Sequence, residues 1–162
     1  MNIKVFSCGG TFEKVYNPIS GELGFQDSCL PKIIKRARIT LKVDFEELFF
    51  KDSLDMGDED RLVIAHRIEA EPCKNIVVIH GTDTMIQTAQ TIKEHTSQDK
   101  VVVITGAMLP FSIKESDAMF NLGGAFIATQ TLDPGIWISM NGHIFRSDDV
   151  EKNKRKGIFE KA

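Results

Sequence analysis

Ile76-Val77-Val78-Ile79-His80-Gly81-Thr82-Asp83-Thr84 is the stretch on which the fold turns. Its first four residues are an unbroken β-branched run, which suits a strand buried on both faces. Gly81 breaks the extended run, and the segment from Thr84 to Thr96 reads as a helix. A buried strand, a short polar turn and a helix are the opening of a βαβ unit.

The same alternation recurs outward from this stretch. Toward the C-terminus, Val101 to Thr105 is a second buried strand that ends at Gly106. Asn121 to Gln130 reads as a helix, in which Gly123-Gly124 permit close packing on a sheet. Gly135 to Met140 is a further strand, and Asn141-Gly142 is a strong hairpin turn. Toward the N-terminus, Asp58 to Glu71 reads as a helix with an acidic first turn and an apolar face of Leu62, Ile64, Ala65 and Ile68. A strand is expected at Ile39 to Val43, with a short acidic helical turn after it. Residues 13 to 29 have no steady period and read as a loop, with a turn or small hairpin at Pro18 to Gly21. Ile3 to Ser7 is the first strand, running into Gly9-Gly10. The pattern predicts an α/β fold: one doubly wound, mostly parallel, Rossmann-like sheet with flanking helices, forming a single domain over residues 1–162.

Bulk properties agree with a core-forming domain. The chain has 162 residues, 42% hydrophobic and 27% charged, enough to bury a core without a disulfide or metal staple. The net charge of -3 and the lack of a long basic tract argue against nucleic acid as a partner. The one basic cluster, Lys152 to Lys156, reads as a solvated chain end, with Lys152 a special case. No stretch approaches the length of a membrane span. Cys8, Cys29 and Cys73 lie far apart, with no zinc-ligand spacing. An odd cysteine count, with an N-terminus that reads as a strand rather than a signal peptide, fits reduced thiols in the cytoplasm. No metal and no organic cofactor is expected.

In open α/β sheets, ligands bind beyond the carboxyl ends of the strands. Two predicted strand ends carry hydroxyls on glycine-backed turns: Gly9-Gly10-Thr11 and His80-Gly81-Thr82-Asp83-Thr84. Glycine lets a substrate approach the backbone, and nearby N–H groups can face an oxyanion. Such turns also serve merely as helix N-caps. A threonine nucleophile needs a base, and Lys152 with Asp83 could complete a Thr–Lys–Asp relay. His80 and Ser112 might suggest a serine hydrolase, but no G-x-S-x-G elbow is present, and a histidine at a buried strand end is more often structural. Gly9-Gly10-Thr11 matches neither phosphate-loop fingerprint.

Taken together, Gly9-Gly10-Thr11, His80-Gly81-Thr82-Asp83-Thr84-Met85, Val103-Ile104-Thr105-Gly106-Ala107-Met108 and Asp117-Ala118-Met119-Phe120-Asn121-Leu122 resemble the hallmark segments of bacterial-type L-asparaginases. The segment from Gly135 to Lys152 resembles the one carrying that family's catalytic lysine. The matches occur in order and cover nearly the whole chain. The resemblance implies an amide hydrolase acting on L-asparagine or a close analogue. It makes Thr11 the nucleophile, with Thr82, Lys152 and Asp83 as a second, proton-transferring triad. Asp83 also matches the carboxylate that contacts the substrate's α-amino group, and Ser53 the serine that holds its α-carboxylate. Gly10 and Gly81 line the substrate site, and Gly81 and Thr82 flank the oxyanion hole. Tyr16, the only tyrosine, is assigned to the lid tyrosine of the first triad.

Two departures from the family pattern stand out. The family usually has a second domain that supplies an acidic residue to a neighbouring subunit's site, whereas this chain stops soon after Lys152, so the second domain is expected to be absent. Leu54 stands where the family often has glutamine or another polar residue beside the substrate serine. The alternative to an enzyme is a non-catalytic amino-acid-binding module, or a subunit that needs a partner to complete its site. A third option is a glutaminase-like ammonia donor. An uncovered apolar surface around Leu109, Phe111, Ile113, Met119 and Phe120 predicts a homo-oligomer, most simply a dimer, unless these side chains fold inward as core.

Overall fold

The computed structural model describes residues 1–162. Ten strands and four α-helices follow one another along the chain. They are β1 (Asn2–Gly9), β2 (Lys14–Asn17), β3 (Glu22–Phe25), α1 (Leu30–Arg36), β4 (Lys42–Lys51), α2 (Asp58–Ala70), β5 (Asn75–Ile79), α3 (Met85–His95), β6 (Val101–Thr105), α4 (Ala118–Thr131), β7 (Gly135–Met140), β8 (His143–Arg146), β9 (Glu151–Asn153) and β10 (Ile158–Glu160). Six strands form one sheet in the order β4-β1-β5-β6-β7-β8. Pairing is parallel from β4 through β7, and only the edge strand β8 runs antiparallel. The α/β, doubly wound reading therefore holds.

Strand alternation divides the core between two faces. Ile76 and Val78 of β5 face α2 and α3, meeting Ile64, Ile68, Met85 and Ile92. Val77 and Ile79 face the other way, onto α1 and α4, with Leu30, Ile33, Leu122 and Phe126. All four β5 side chains are fully buried, as the unbroken apolar run requires.

Several elements differ from the sequence expectation. The strand expected at Ile39 to Val43 instead occupies Lys42–Lys51, and the acidic stretch expected to coil into a helical turn is part of it. It pairs with β1 from Asn2↔Lys42 to Ser7↔Glu47. That register puts Asp44 opposite Lys4, whose ammonium lies 2.8 Å from Asp44 and 3.6 Å from Glu46. Arg67 of α2 grips Glu46 with two nitrogens. Sheet pairing and these cations outweigh the weak helical preference of an acidic run. The loop expected over residues 13 to 29 contains the β2–β3 hairpin, with its turn at Pro18 to Gly21 as expected. Helix α1 was not anticipated; Pro31 in its first turn and Lys35 and Arg36 in its last are its sequence signature. The Asn141-Gly142 turn joins β7 to β8, and both residues have positive φ, 55° and 79°, as a tight hairpin turn demands.

His80 closes β5 and is fully buried. Its Nδ1 donates to the Gly81 carbonyl at 2.8 Å, and Nε2 lies 2.9 Å from the Thr88 hydroxyl of α3. Burial pushes the imidazole pKa from 6.5 down to about 4; the charge of Arg61 adds to this and the Gly81 carbonyl opposes it. The neutral ring therefore carries its proton on Nδ1 and accepts at Nε2 from Thr88. The unfolded chain binds this proton near pH 6.5 and the folded protein only near 4, so stability is full above 6.5 and declines as pH falls toward 4. The loss is on the order of 3 kcal/mol at the low end. Urea unfolding of wild type and His80→Gln between pH 7 and 4 measures it: the variant is expected to lack this component, and parallel stability curves would contradict it.

Candidate active site

The sheet order β4-β1-β5 makes the β1/β5 boundary the topological switch point, since the connections from β1 and β5 leave toward opposite faces. A crevice opens beyond the strand ends at such a point. Three loops meet there, after β1, β4 and β5: the backbones of Gly10 and Gly81 touch, and the Ser53 side chain packs on Gly81. A Cβ on Gly10 would fall 2.4 Å from the Cα and N of Gly81. A Cβ on Gly81 would fall 2.6 Å from the Cβ and Oγ of Ser53. Gly10 also has φ of 69°, a conformation that L side chains rarely adopt. Glycine at 10 and 81 is thus what lets the segments that carry Thr11, Thr82 and Ser53 approach one another.

Thr11 begins a single 3₁₀ turn, Thr11–Glu13, directly after Gly10, and is half-buried. Behind it, Glu13 is a buried carboxylate without a cation. It accepts from the hydroxyls of Ser7 and Ser28, both at 2.8 Å, and from the backbone N–H of Cys29 at 2.7 Å. Glu13 therefore fastens both ends of the β2–β3 flap, residues 14–27, to the end of β1. Tyr16 lies on that flap, 59% exposed and paired across the strands with Leu23. The structure does not bring its phenol into a hydrogen bond with Thr11.

Ser53 opens a second 3₁₀ turn, Ser53–Asp55, capped by Asp52, whose carboxylate accepts from the N–H of Leu54. The ammonium of Lys14 reaches Asp52 at 2.5 Å and so ties the flap to this turn. That contact, together with the hydroxyl of Thr84 donating to the Ser53 carbonyl, holds Ser53 in place. The Ser53 hydroxyl itself is buried and has no hydrogen-bond partner. A buried orphan hydroxyl is unfavourable, and an acceptor brought by a ligand would relieve it. Leu54 beside it projects into solvent.

Lys152, Thr82 and Asp83 are brought together. The Lys152 ammonium donates to the Thr82 hydroxyl at 2.8 Å and to the Asp83 carboxylate at 2.7 Å. The Lys152 side chain is 10% exposed and that of Asp83 36%. Lys152 comes from β9, so it is not part of a solvated chain end, whereas Lys154, Arg155 and Lys156 are exposed. The ammonium occupies a lone pair of the Thr82 oxygen, which leaves the Thr82 hydroxyl proton free to point into the crevice.

Other candidates separate from this cluster. His80 is consumed by Gly81 and Thr88, and the Ser112 hydroxyl donates to the Lys14 carbonyl on the surface, so they form no catalytic pair. No group of three or more His, Cys, Asp or Glu side chains is placed to hold a metal. A cavity of about 900 Å³ lies elsewhere, between residues 37–41, α4 and β8, and holds none of the predicted site residues. Glu13 and Lys14 were not singled out from the sequence. Their signal is faint, since a charged pair after a Gly-Gly-Thr turn normally reads as solvated. Of the expected surface patch, Leu109, Ile113 and Phe120 are exposed, as is Ile127 of α4, while Phe111 and Met119 pack partly on the core.

Comparison with known proteins follows the same lines. L-asparaginase 2 of Escherichia coli K12 is 29% identical over 97% of this chain and 48% of its own length. A glutaminase-asparaginase of Pseudomonas fluorescens biotype A is 29% identical over 62% of this chain and 30% of its own length. Among solved structures, the thermostable L-asparaginase from Thermococcus kodakarensis aligns with a TM-score of 0.86 at 27% identity, covering 99% of this chain and 51% of that one. The chain thus spans about half the length of its near-full-coverage relatives. The family description "Asparaginase, N-terminal" matches residues 2–158. By that match, running from β1 to the start of β10, the chain belongs to the asparaginase family.

Proposed function

We propose that the protein is an amide hydrolase that converts L-asparagine, or a close amide analogue, to the acid and ammonia. The observation that carries this reading is the Lys152–Thr82–Asp83 cluster, set across the Gly10–Gly81 contact from Thr11. The names of its relatives, L-asparaginase and glutaminase-asparaginase, support the amide class.

The Thr11 hydroxyl oxygen attacks the side-chain amide carbon as its proton passes to the neighbouring hydroxyls, and the carbonyl electron pair moves onto oxygen; that proton is the one ammonia carries away. Donors beside Gly81 and Thr82 stabilise that oxyanion, an effect commonly worth about 3 kcal/mol per donor. Collapse breaks the C–N bond, and ammonia leaves with a proton delivered through the crevice hydroxyls. Water then cleaves the threonyl ester and regenerates Thr11. Thr82 and Lys152 relay protons, with Asp83 fixing the ammonium and receiving the substrate's α-amino group. Ser53 donates its unpartnered hydroxyl to the α-carboxylate. Tyr16 joins Thr11 only when the flap closes over bound substrate. The three cysteines are all free, which suits a cytoplasmic protein.

An ammonia-release assay with asparagine, glutamine and small amides tests the reading. Turnover is expected in wild type and loss of it in Thr11→Ala; equal rates in the two would dismiss it. Calorimetry showing amino-acid binding without turnover in wild type would instead favour a binding module.

The lysine carries its own test. Lys152→Met is expected to lower kcat by about 100-fold or more while changing KM little, and Lys154→Met to leave both near wild type. Equal losses would remove the special role of Lys152.

The protein is proposed to act as a homodimer that covers Leu109, Ile113, Phe120 and Ile127, since exposed apolar patches usually mark interfaces. Sedimentation equilibrium should give twice the 18.1 kDa chain mass. A mass near 18.1 kDa at micromolar concentration excludes the dimer, and Phe120→Asp is expected to dissociate it without unfolding.

A further inference from the structure

We infer that Asn141 is a positioning residue for Lys152, which it holds in place through its side chain. The inference rests on the reading of Lys152 as part of the reacting site. It starts from how weakly the lysine's own element is attached. Lys152 sits on a two-stranded hairpin, β9–β10, that pairs with no strand of the main sheet. Two-stranded hairpins are marginal by themselves, so tertiary ties must fix this one. Val150 and Phe159 supply apolar ties to the core, but apolar contact alone does not set the position of an ammonium to a few tenths of an ångström.

Beyond the contacts of Lys152 itself, the polar tie is Asn141. Its side-chain oxygen accepts from the backbone N–H of Phe159 at 2.9 Å, and Phe159 is the residue directly across the hairpin from Lys152. Asn141 is itself held, because its backbone N–H donates to the side-chain oxygen of Asn121 at 3.2 Å. The Asn121 amide nitrogen donates to the Gly106 carbonyl at 3.0 Å and to Asp117 at 2.9 Å. Asp117 in turn accepts from the N–H groups of Met108 and Leu109. Asn121 is buried with both amide N–H groups and its oxygen engaged, so it has no alternative arrangement of similar energy. A continuous set of hydrogen bonds therefore runs from the end of β6, through α4 and the β7–β8 turn, to the strand facing Lys152.

The turn at Asn141 by itself does not explain the carboxamide. A φ of 55° at this position followed by Gly142 suits asparagine, aspartate or glycine. Only a side chain with an acceptor can also receive the Phe159 N–H. That difference separates the two roles experimentally. Asn141→Gly keeps the turn and removes the tie; Asn141→Asp keeps both the turn and an acceptor.

Two measurements test the assignment. In hydrogen–deuterium exchange of the free protein, Asn141→Gly is expected to speed exchange of residues 151–160 about tenfold or more, with β5 and β6 unchanged, and Asn141→Asp to stay near wild type. In amide hydrolysis, Asn141→Gly is expected to lower kcat by about tenfold or more at nearly constant KM, the cost of a misplaced reacting group, with Asn141→Asp restoring most of it. Unchanged protection of 151–160 in Asn141→Gly, or a kcat loss no greater than that of Asn141→Asp, would overturn the assignment. If wild type shows no turnover, the hydrolase reading fails, and the exchange result alone decides whether Asn141 holds the Lys152 hairpin.

Discussion

The meeting of the three loops depends on two close contacts at glycine, backbone on backbone between Gly10 and Gly81 and the Ser53 side chain on Gly81. Gly10 lies against Gly81, and Gly81 against Ser53, at distances that leave no room for a Cβ. The strands are parallel and in fixed register, Ser7 beside Ile79 on one side of β1 and Gly9 beside Lys51 on the other, so the loops that follow begin at nearly the same height. Nothing but the absence of side chains then lets them converge. Thr11 and Thr82 each follow one of the touching glycines, so this contact brings their segments together, and Lys152 then holds the Thr82 hydroxyl. Rigid elements place reacting groups better than mobile ones do.

Beside neutral His80, a carboxylate and an ammonium are withdrawn from water near this contact, and they are satisfied in different ways. Glu13 is held by two hydroxyls and a backbone N–H, all neutral, whereas Lys152 is held by the carboxylate of Asp83 and the hydroxyl of Thr82. Burying a charge is unfavourable unless its hydrogen-bonding capacity is met. In Glu13 the donors come from both sides of the flap, so the unfavourable burial is offset by contacts that also define where the flap is rooted. In Lys152 the partners belong to the β5 turn, so the charge locks the C-terminal hairpin onto the strand end that carries Thr82. Each charge joins segments distant in sequence, which an apolar side chain of similar size would do with less directional control.

Much of this was legible in the chain itself. The unbroken apolar run at Ile76 to Ile79 identifies a strand buried on both faces, and the glycine–threonine turns mark strand ends, because both patterns reflect local requirements. The stretch from Asp44 to Glu47 misleads for the opposite reason. Its strand state comes from pairing with β1 and from Lys4 and Arg67, which are far away in sequence. Helix α1 is short, and its few apolar positions give a weak period beside the irregular flap. The meeting of Lys152 with Thr82 and Asp83 has no local signature and was reached through resemblance rather than spacing. Glu13 escaped notice because burial of a charge between two polar neighbours depends on Ser7 and Ser28, which only the fold brings near.

The placement of Lys152 on β9 also orders events in time. Thr11 and Thr82 precede Lys152 in the chain, and the Phe159 N–H across the hairpin follows it. Long loops close slowly relative to local structure. A nascent chain holding only its first five strands would present the Thr82 hydroxyl without the ammonium that holds it. The Lys152–Thr82 contact spans 70 residues of sequence, so it closes after the local structure around each partner.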